Sequence, residues 1–110
     1  MVNLKRFDIC LVNLDPTVGS EIQKTRPAVV VSPDSMNQSR LKTVIVAPMT
    51  SITRDNFPTR VNINFKNKKG QIALDQLRVI DRVRIIKVLG SVDEDAENNI
   101  LHTLSIIFQR

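Results

Sequence analysis

The sequence predicts a mainly β fold: a small closed or half-closed barrel, mostly antiparallel, with a helix packed against it at the C-terminal end. Its 110 residues suit a single domain spanning 1–110. About six short apolar segments separated by turn residues predict the strands. They follow one another too closely for crossover helices, which favours antiparallel pairing. Beyond residue 92 the apolar spacing becomes helical.

The predicted strands are short segments rich in β-branched and other apolar residues. Residues 7–14 are mostly apolar and predict a buried first strand. The second strand lies at 28–32 and the third at 43–47, where Pro48 closes it because Pro has no N–H to donate. The remaining predicted elements are a turn at 33–35, strands at Arg60–Phe65 and 71–74, a hairpin turn at 67–70, and strand pieces within 79–92.

The last segment predicts one amphipathic helix. Its apolar residues recur at helical spacing and form one face: Ala96, Ile100, Leu101, Leu104, Ile107 and Phe108. Asp93 is the predicted N-cap, and a capping box from Ser91 to Glu94 is the alternative start. The acidic residues of the first turn favour the positive end of the helix dipole, which explains them better than a metal site does. His102 lies off the apolar face and is expected to be exposed.

The composition excludes several classes of site. One Cys excludes an internal disulfide, and one Cys with one His excludes a zinc site of the Cys/His type. A single His also excludes an acid–base pair of histidines, and no cofactor is expected. With four Phe and no Trp or Tyr, a site built from many stacking platforms is not expected. No apolar run is long enough to span a bilayer and residues 1–6 lack a signal core, so a cytoplasmic protein without a membrane partner is expected.

The positive charge is concentrated in the middle of the chain. The net charge is +5, and residues 60–87 alone carry eight basic and two acidic side chains. Such a segment suits a polyanionic partner, either a nucleic acid or an acidic protein tail. A solvated basic face is the other interpretation, and charge alone leaves both open.

Candidate catalytic and phosphate-binding residues lie where two loops meet predicted strands. Arg26 precedes the second strand, and Glu21 lies in the same loop. The two residues form either a structural ion pair or a phosphate site. Thr50 and Ser51 open the next loop, after the third strand. Arginine and hydroxyl donors together bind phosphate. Hydrogen bonding of these hydroxyls within a turn is the alternative that spacing alone favours.

Several motifs resemble the PemK/MazF family of toxin endoribonucleases. Residues 15–21 (DPTVGSE) and 26–32 (RPAVVVS) are similar to the opening of that family. Three later segments fall where its second and third motifs fall: 47–51 (APMTS), 57–59 (FPT) and 73–81 (ALDQLRVID). The resemblance covers nearly the whole chain. It departs at Phe7, where the family usually has Gly, and the first strand lacks the usual aromatic residue.

The resemblance implies an SH3-like barrel of the CcdB/PemK type, a homodimer, and metal-independent cleavage of single-stranded RNA, with mRNA as the expected target. It implies that a cognate antitoxin inhibits the enzyme by placing an acidic segment in the RNA groove. Carried over by motif, Arg26 and Thr50 are the catalytic pair. The residues expected to contact RNA are Ser20, Ile22, Ser51, Phe57, Gln76 and Arg78.

The expected mechanism uses the 2′-hydroxyl of RNA as the nucleophile, so the protein has only to orient it and stabilise charge. Arg26 would bind the scissile phosphate and Thr50 would donate a hydrogen bond to it. Glu21 is the candidate general base, held either by Arg26 or by a backbone N–H. The products would be a 2′,3′-cyclic phosphate, or a 3′-phosphate, and a 5′-hydroxyl.

Two other classes of function fit the same fold. One is a non-enzymatic toxin that poisons DNA gyrase through its C-terminal helix and does not need Arg26 and Thr50. The other is a barrel that binds RNA or protein without catalysis. Cleavage of single-stranded RNA in the presence of a chelator separates the nuclease from the gyrase poison. A neighbouring short reading frame with an acidic C-terminal half would favour either toxin over the plain binding barrel.

Overall fold

The computed structural model describes residues 3–110, which contain seven β-strands and two α-helices. The strands are β1 (Asp8–Asn13), β2 (Thr25–Val30), β3 (Thr43–Thr50), β4 (Arg60–Phe65), β5 (Lys68–Ala73), β6 (Arg78–Asp81) and β7 (Ile85–Ser91). The helices are α1 (Asp34–Asn37) and α2 (Glu94–Ile107), and two short 3₁₀ turns lie at Leu74–Gln76 and Arg82–Arg84. No helix in this part of the chain has the length and apolarity to cross a bilayer.

The strands form one antiparallel half-barrel. Their order is β4-β5-β3-β2-β1-β7, and β6 pairs with β3 beside this path. Every strand pair within residues 3–110 is antiparallel. Together with the C-terminal helix, this confirms the predicted fold class.

The three central strands are buried on both faces, which explains why their sequences are apolar rather than alternating. Alternate residues of β1 point to opposite sides, so that Val12 lies in one core cluster and Ile9 in the other. Helix α2 covers the second cluster through Ala96 and Ile100. As predicted, Asp93 is its N-cap and accepts a hydrogen bond from Ala96 N at 2.8 Å.

Three predicted features of α2 have different outcomes. The alternative capping box does not form, because the helix begins at Glu94 after the Asp93 cap. His102 is exposed, as expected. The predicted apolar face is too wide: Leu101 is 40% and Phe108 73% exposed, since the strands beneath contact only the centre of the stripe.

Two strands extend further than the proline positions predicted. β2 begins at Thr25 rather than residue 28, so Pro27 lies inside it, opposite Leu11. β3 continues through Pro48, which pairs with Ala28, and ends at Thr50. Pro48 is tolerated because β3 changes partner there, from β2 and β6 to β5. Arg26 and Thr50 therefore lie on strands rather than in loops.

The hairpin between β4 and β5 turns earlier than predicted. Its two turn residues are Lys66 and Asn67, with φ of 51° and 64°, as a type I′ turn requires. Gly70, predicted to lie in the turn, is inside β5 opposite Ile63. Residues 34–37, where the sequence predicted only a turn, form α1.

Candidate functional site

Arg26 and Thr50 line one cavity of about 330 Å³ at the edge of the half-barrel. Strand β2 supplies Arg26 and the end of β3 supplies Thr50 and, just beyond it, Ser51. The structure thus brings together three residues that the sequence predicted for one site. The other lining residues are Pro27, Met49, Phe65, Lys68, Lys69 and Gly70.

The guanidinium of Arg26 is held through its Nε, and its two terminal nitrogens are available to a ligand. Its Nε donates to the Gln23 carbonyl oxygen at 2.7 Å. Within residues 3–110 its two terminal nitrogens have no hydrogen-bond acceptor. A guanidinium held in this way presents two parallel N–H groups, the fork that matches two oxygens of a phosphate.

The Thr50 hydroxyl is held by a hydrogen bond in which it is the acceptor. Thr50 is 8% exposed, and its Oγ1 accepts a hydrogen bond from Ile52 N at 3.1 Å. The turn hydrogen bond that spacing favoured therefore exists. Because the hydroxyl is the acceptor in that bond, its own O–H remains free to donate into the cavity.

Lys68 and Lys69 line this cavity together with Arg26, because the β4–β5 hairpin turns earlier than predicted. The turn at Lys66–Asn67 puts Lys68 and Lys69 on strand β5, and both line the cavity. The sequence analysis placed them in the predicted hairpin turn at 67–70, within the basic segment 60–87. Phe65 pairs with Lys68 across the hairpin, and Lys66, the first turn residue, carries no turn signal that would locate this register in the sequence.

Two further depressions continue the cavity into a groove. The first, of about 270 Å³, shares Thr50 and adds Ser20, Phe57 and Gln76, together with Ile52, Arg54 and Arg60. The second, of about 220 Å³, shares Gln76 and is lined by Glu21, Ile22, Asp75, Leu77 and Arg78. All nine residues predicted for the site therefore lie along one connected surface, which we call the groove.

Some predicted RNA-contacting residues have structural partners in the groove. The Gln76 side chain holds the first loop, since its Oε1 accepts from Ile22 N at 2.6 Å and its Nε2 donates to Ser20 O at 3.2 Å. Arg78 donates to Leu14 O at 3.0 Å, and Arg82 and Arg84 also donate to backbone carbonyls. These three arginines belong to the basic segment 60–87, and in the structure they tie loops to the barrel.

Glu21 lines the depression of Ile22 and Gln76 and is not among the residues that line the Arg26–Thr50 cavity. Its Oε1 accepts from Val18 N at 2.6 Å, within a tight turn that Glu21 N closes on Val18 O. The expected ion pair with Arg26 is absent from the described residues. Of the two predicted ways of holding Glu21, the one through a backbone N–H is the one that forms.

The ion pair that the structure does contain flanks Phe57. Arg60 donates to Asp75 at 2.7 Å and its guanidinium lies 5.6 Å from the centre of the Phe57 ring. Burial opposes ionisation of Asp75, but hydrogen bonds from Arg60 and Thr59 outweigh it and lower the pKa of the carboxyl. Among residues 3–110, no three His, Cys, Asp or Glu side chains converge as metal ligands do.

Gly70 is required by the close crossing of β5 over the end of β3. A Cβ at this position would lie 2.7 Å from the Thr50 carbonyl oxygen, closer than real side chains approach. We expect Gly70→Ala to displace Thr50, lowering RNA cleavage and reducing stability by about 1–3 kcal/mol. Urea denaturation and a cleavage time course measure both effects, and wild-type values for both would show that the crossing widens without moving Thr50.

Residues 5–108 match the family described as the PemK-like, MazF-like toxin of type II toxin–antitoxin systems. A curated relative, endoribonuclease EndoA of Bacillus subtilis, is 29% identical over 107 residues, 94% of this chain and 92% of the relative. MazF of Deinococcus radiodurans superposes with a TM-score of 0.82 at 23% identity, covering 97% of both chains. A mycobacterial endoribonuclease solved with its cognate antitoxin gives 0.77 at 20% identity, covering 94% of this chain and 92% of that one.

Proposed function

This chain belongs to the PemK-like, MazF-like family of toxins of type II toxin–antitoxin systems, and we propose that it is an endoribonuclease that cuts single-stranded RNA without a metal. The observation that carries the proposal is the pair of free donors, the Arg26 fork and the Thr50 hydroxyl, in one cavity of a longer groove. The name of the Bacillus subtilis relative supports the same activity.

In the proposed reaction the scissile phosphate occupies the cavity of Arg26 and Thr50. The 2′-oxygen attacks phosphorus, a new P–O2′ bond forms and the P–O5′ bond breaks, which leaves a 2′,3′-cyclic phosphate and a 5′-hydroxyl. Arg26 and Thr50 hydrogen-bond the non-bridging oxygens, whose charge grows in the transition state. Because both donors are already held in place, little reorganisation accompanies the reaction.

The residues that line the cavity indicate where the proton of the 2′-hydroxyl goes and which group protonates the leaving 5′-oxygen. Its side chains include no carboxylate or imidazole among the described residues, so the 2′-hydroxyl proton passes to water rather than to Glu21. The leaving 5′-oxygen takes a proton from one of the cavity's cations. Lys68 or Lys69 is better suited than Arg26, since an ammonium releases a proton more readily than a guanidinium.

We propose a cognate antitoxin and a second copy of the chain as partners. An acidic antitoxin segment suits a groove whose first cavity holds Arg26, Lys68 and Lys69. Mycobacterial and Deinococcus relatives have been solved with antitoxins, which supports this partner. Exposed apolar side chains on and between β6 and β7 offer a surface for a homodimer: Val79, Val83, Ile86 and Val88.

The experiment that tests the function is incubation of pure protein with single-stranded RNA in excess chelator. We expect full cleavage, because the proposed chemistry needs only donors and the RNA's own nucleophile. Loss of cleavage in chelator with recovery in magnesium would overturn the metal-free mechanism. If no RNA is cut and DNA gyrase is inhibited instead, the gyrase-poison alternative holds.

A further inference from the structure

Beside the Arg26–Thr50 cavity lies a fourth cavity of about 390 Å³. It shares Lys69 and Gly70 with the Arg26–Thr50 cavity, so the two adjoin. Its other lining residues are Thr53, Asp55, Asn62, Ile63 and Asn64. Resting on the proposed function, we propose that this cavity is a nucleobase subsite for a nucleotide next to the scissile phosphate.

One wall of this subsite is a polar face of the β4–β5 hairpin. Asn62 pairs with Gln71 and Asn64 with Lys69, so strand alternation places these four side chains on the same face. Val61 and Ile72, which pair next to them, point to the core. The outer face therefore carries hydrogen-bonding groups at the regular spacing of a sheet.

The other wall is the loop between β3 and β4, and Gln71 holds it in position. Gln71 is 3% exposed, and its side chain accepts from Arg54 N at 2.9 Å and donates to Arg54 O at 3.2 Å. It also donates to Asn62 Oδ1 at 2.8 Å. This clamp on both backbone groups of Arg54 fixes its neighbours Thr53 and Asp55 opposite the hairpin, so the cavity is formed before any ligand arrives.

The groups that face the cavity suit the edge of a base better than an acidic peptide. The charges of Lys69 and Asp55 cancel. The remaining polar side chains that line the cavity are neutral: the Thr53 hydroxyl and the amides of Asn62 and Asn64. Among residues 3–110, the Asp55 carboxylate and the Asn64 amide have no hydrogen-bond partner. A carboxylate accepts from base N–H groups, and guanine presents two of them side by side, N1–H and N2–H₂, whereas uracil presents N3–H alone, so the subsite selects guanine over uracil.

The test compares Asp55→Asn and Asn64→Ala with the wild-type protein. Every cut in one long RNA is mapped, and the base preference at each position beside the cut is calculated. We expect both variants to lose discrimination against uracil, by about tenfold, at one and the same position. Asp95→Asn, an equal change of charge on the exposed first turn of α2, is the matched control and should keep the wild-type pattern.

A binding measurement separates failure of the subsite from failure of the nuclease proposal. Short 2′-O-methyl RNAs that differ at one base are titrated against the same variants, which requires no cleavage. A preference against uracil that Asp55→Asn removes supports the subsite even if the protein cuts nothing. Unchanged preferences in both assays would overturn it, as would Asn64→Ala weakening an acidic peptide while leaving RNA binding intact.

Discussion

An RNA with a 2′-deoxyribose on the 5′ side of the cut should bind the protein and remain uncut. The proposed nucleophile is the 2′-oxygen, and none of the residues 3–110 that line the cavity of Arg26 and Thr50 has a carboxylate, imidazole or thiol to replace it. Removal of this one atom therefore removes the reaction, so we expect no detectable cleavage. The phosphates, bases and neighbouring sugars are unchanged, and binding should fall little.

The measurement pairs gel analysis of cleavage with fluorescence anisotropy on the same oligonucleotide. An RNA with the deoxyribose one nucleotide further along is the matched control, because it has the same composition and an intact nucleophile at the cut. Cleavage of the first substrate at the normal position would show that water is the nucleophile.

Arg26→Ala should reduce cleavage by about 10²–10³-fold, the usual effect of removing one fixed donor from a charged transition state. The folded structure should persist, since among the described residues the Arg26 side chain makes one hydrogen bond, to Gln23 O, at the edge of the half-barrel. Arg26→Lys should not restore the rate, because an ammonium lacks the planar fork. Single-turnover cleavage with saturating protein measures the chemical step apart from binding.

Arg40→Ala is the matched control for charge. Arg40 is exposed in the segment between α1 and β3 and lines none of the four cavities, yet its loss lowers the net charge equally. A similar loss of activity in both variants would mean that Arg26 acts through overall charge. Near-wild-type cleavage by folded Arg26→Ala would remove it from the catalytic pair.

The apolar patterns of this chain predict its fold well because most strands and the helix are short and clearly bounded. Arg60–Phe65 alternates strictly and is β4, and Asp93 caps α2 where the acidic first turn indicated. The strand ends predicted from the prolines were wrong for a physical reason. Pro48 normally ends a strand, but β3 exchanges partners at that point and continues to Thr50.

The parts of the site that the sequence did not predict depend on register. Lys66 at positive φ carries no recognisable turn signal, so the hairpin was placed late and Lys69 was not assigned to the Arg26 cavity. The clamp between Gln71 and Arg54 joins residues 17 positions apart, and only the β4–β5 pairing reveals it. The partner of the Glu21 carboxylate stayed open between Arg26 and a backbone N–H, because its turn with Val18 is a local hydrogen-bonding choice that composition does not encode.

The exchange of partners within β3 also has a thermodynamic consequence. A ligand that contacts Arg26 on β2, Thr50 on β3 and Lys69 on β5 bridges strands on both sides of that exchange, an arrangement that only the native state offers. Its binding is therefore linked to folding, and at one hundred times its Kd it adds about 2.7 kcal/mol to the free energy of unfolding. An antitoxin in this groove would thus act as a stabilising ligand as well as an inhibitor, and its removal would leave a toxin that is active and, by the same increment, easier to unfold.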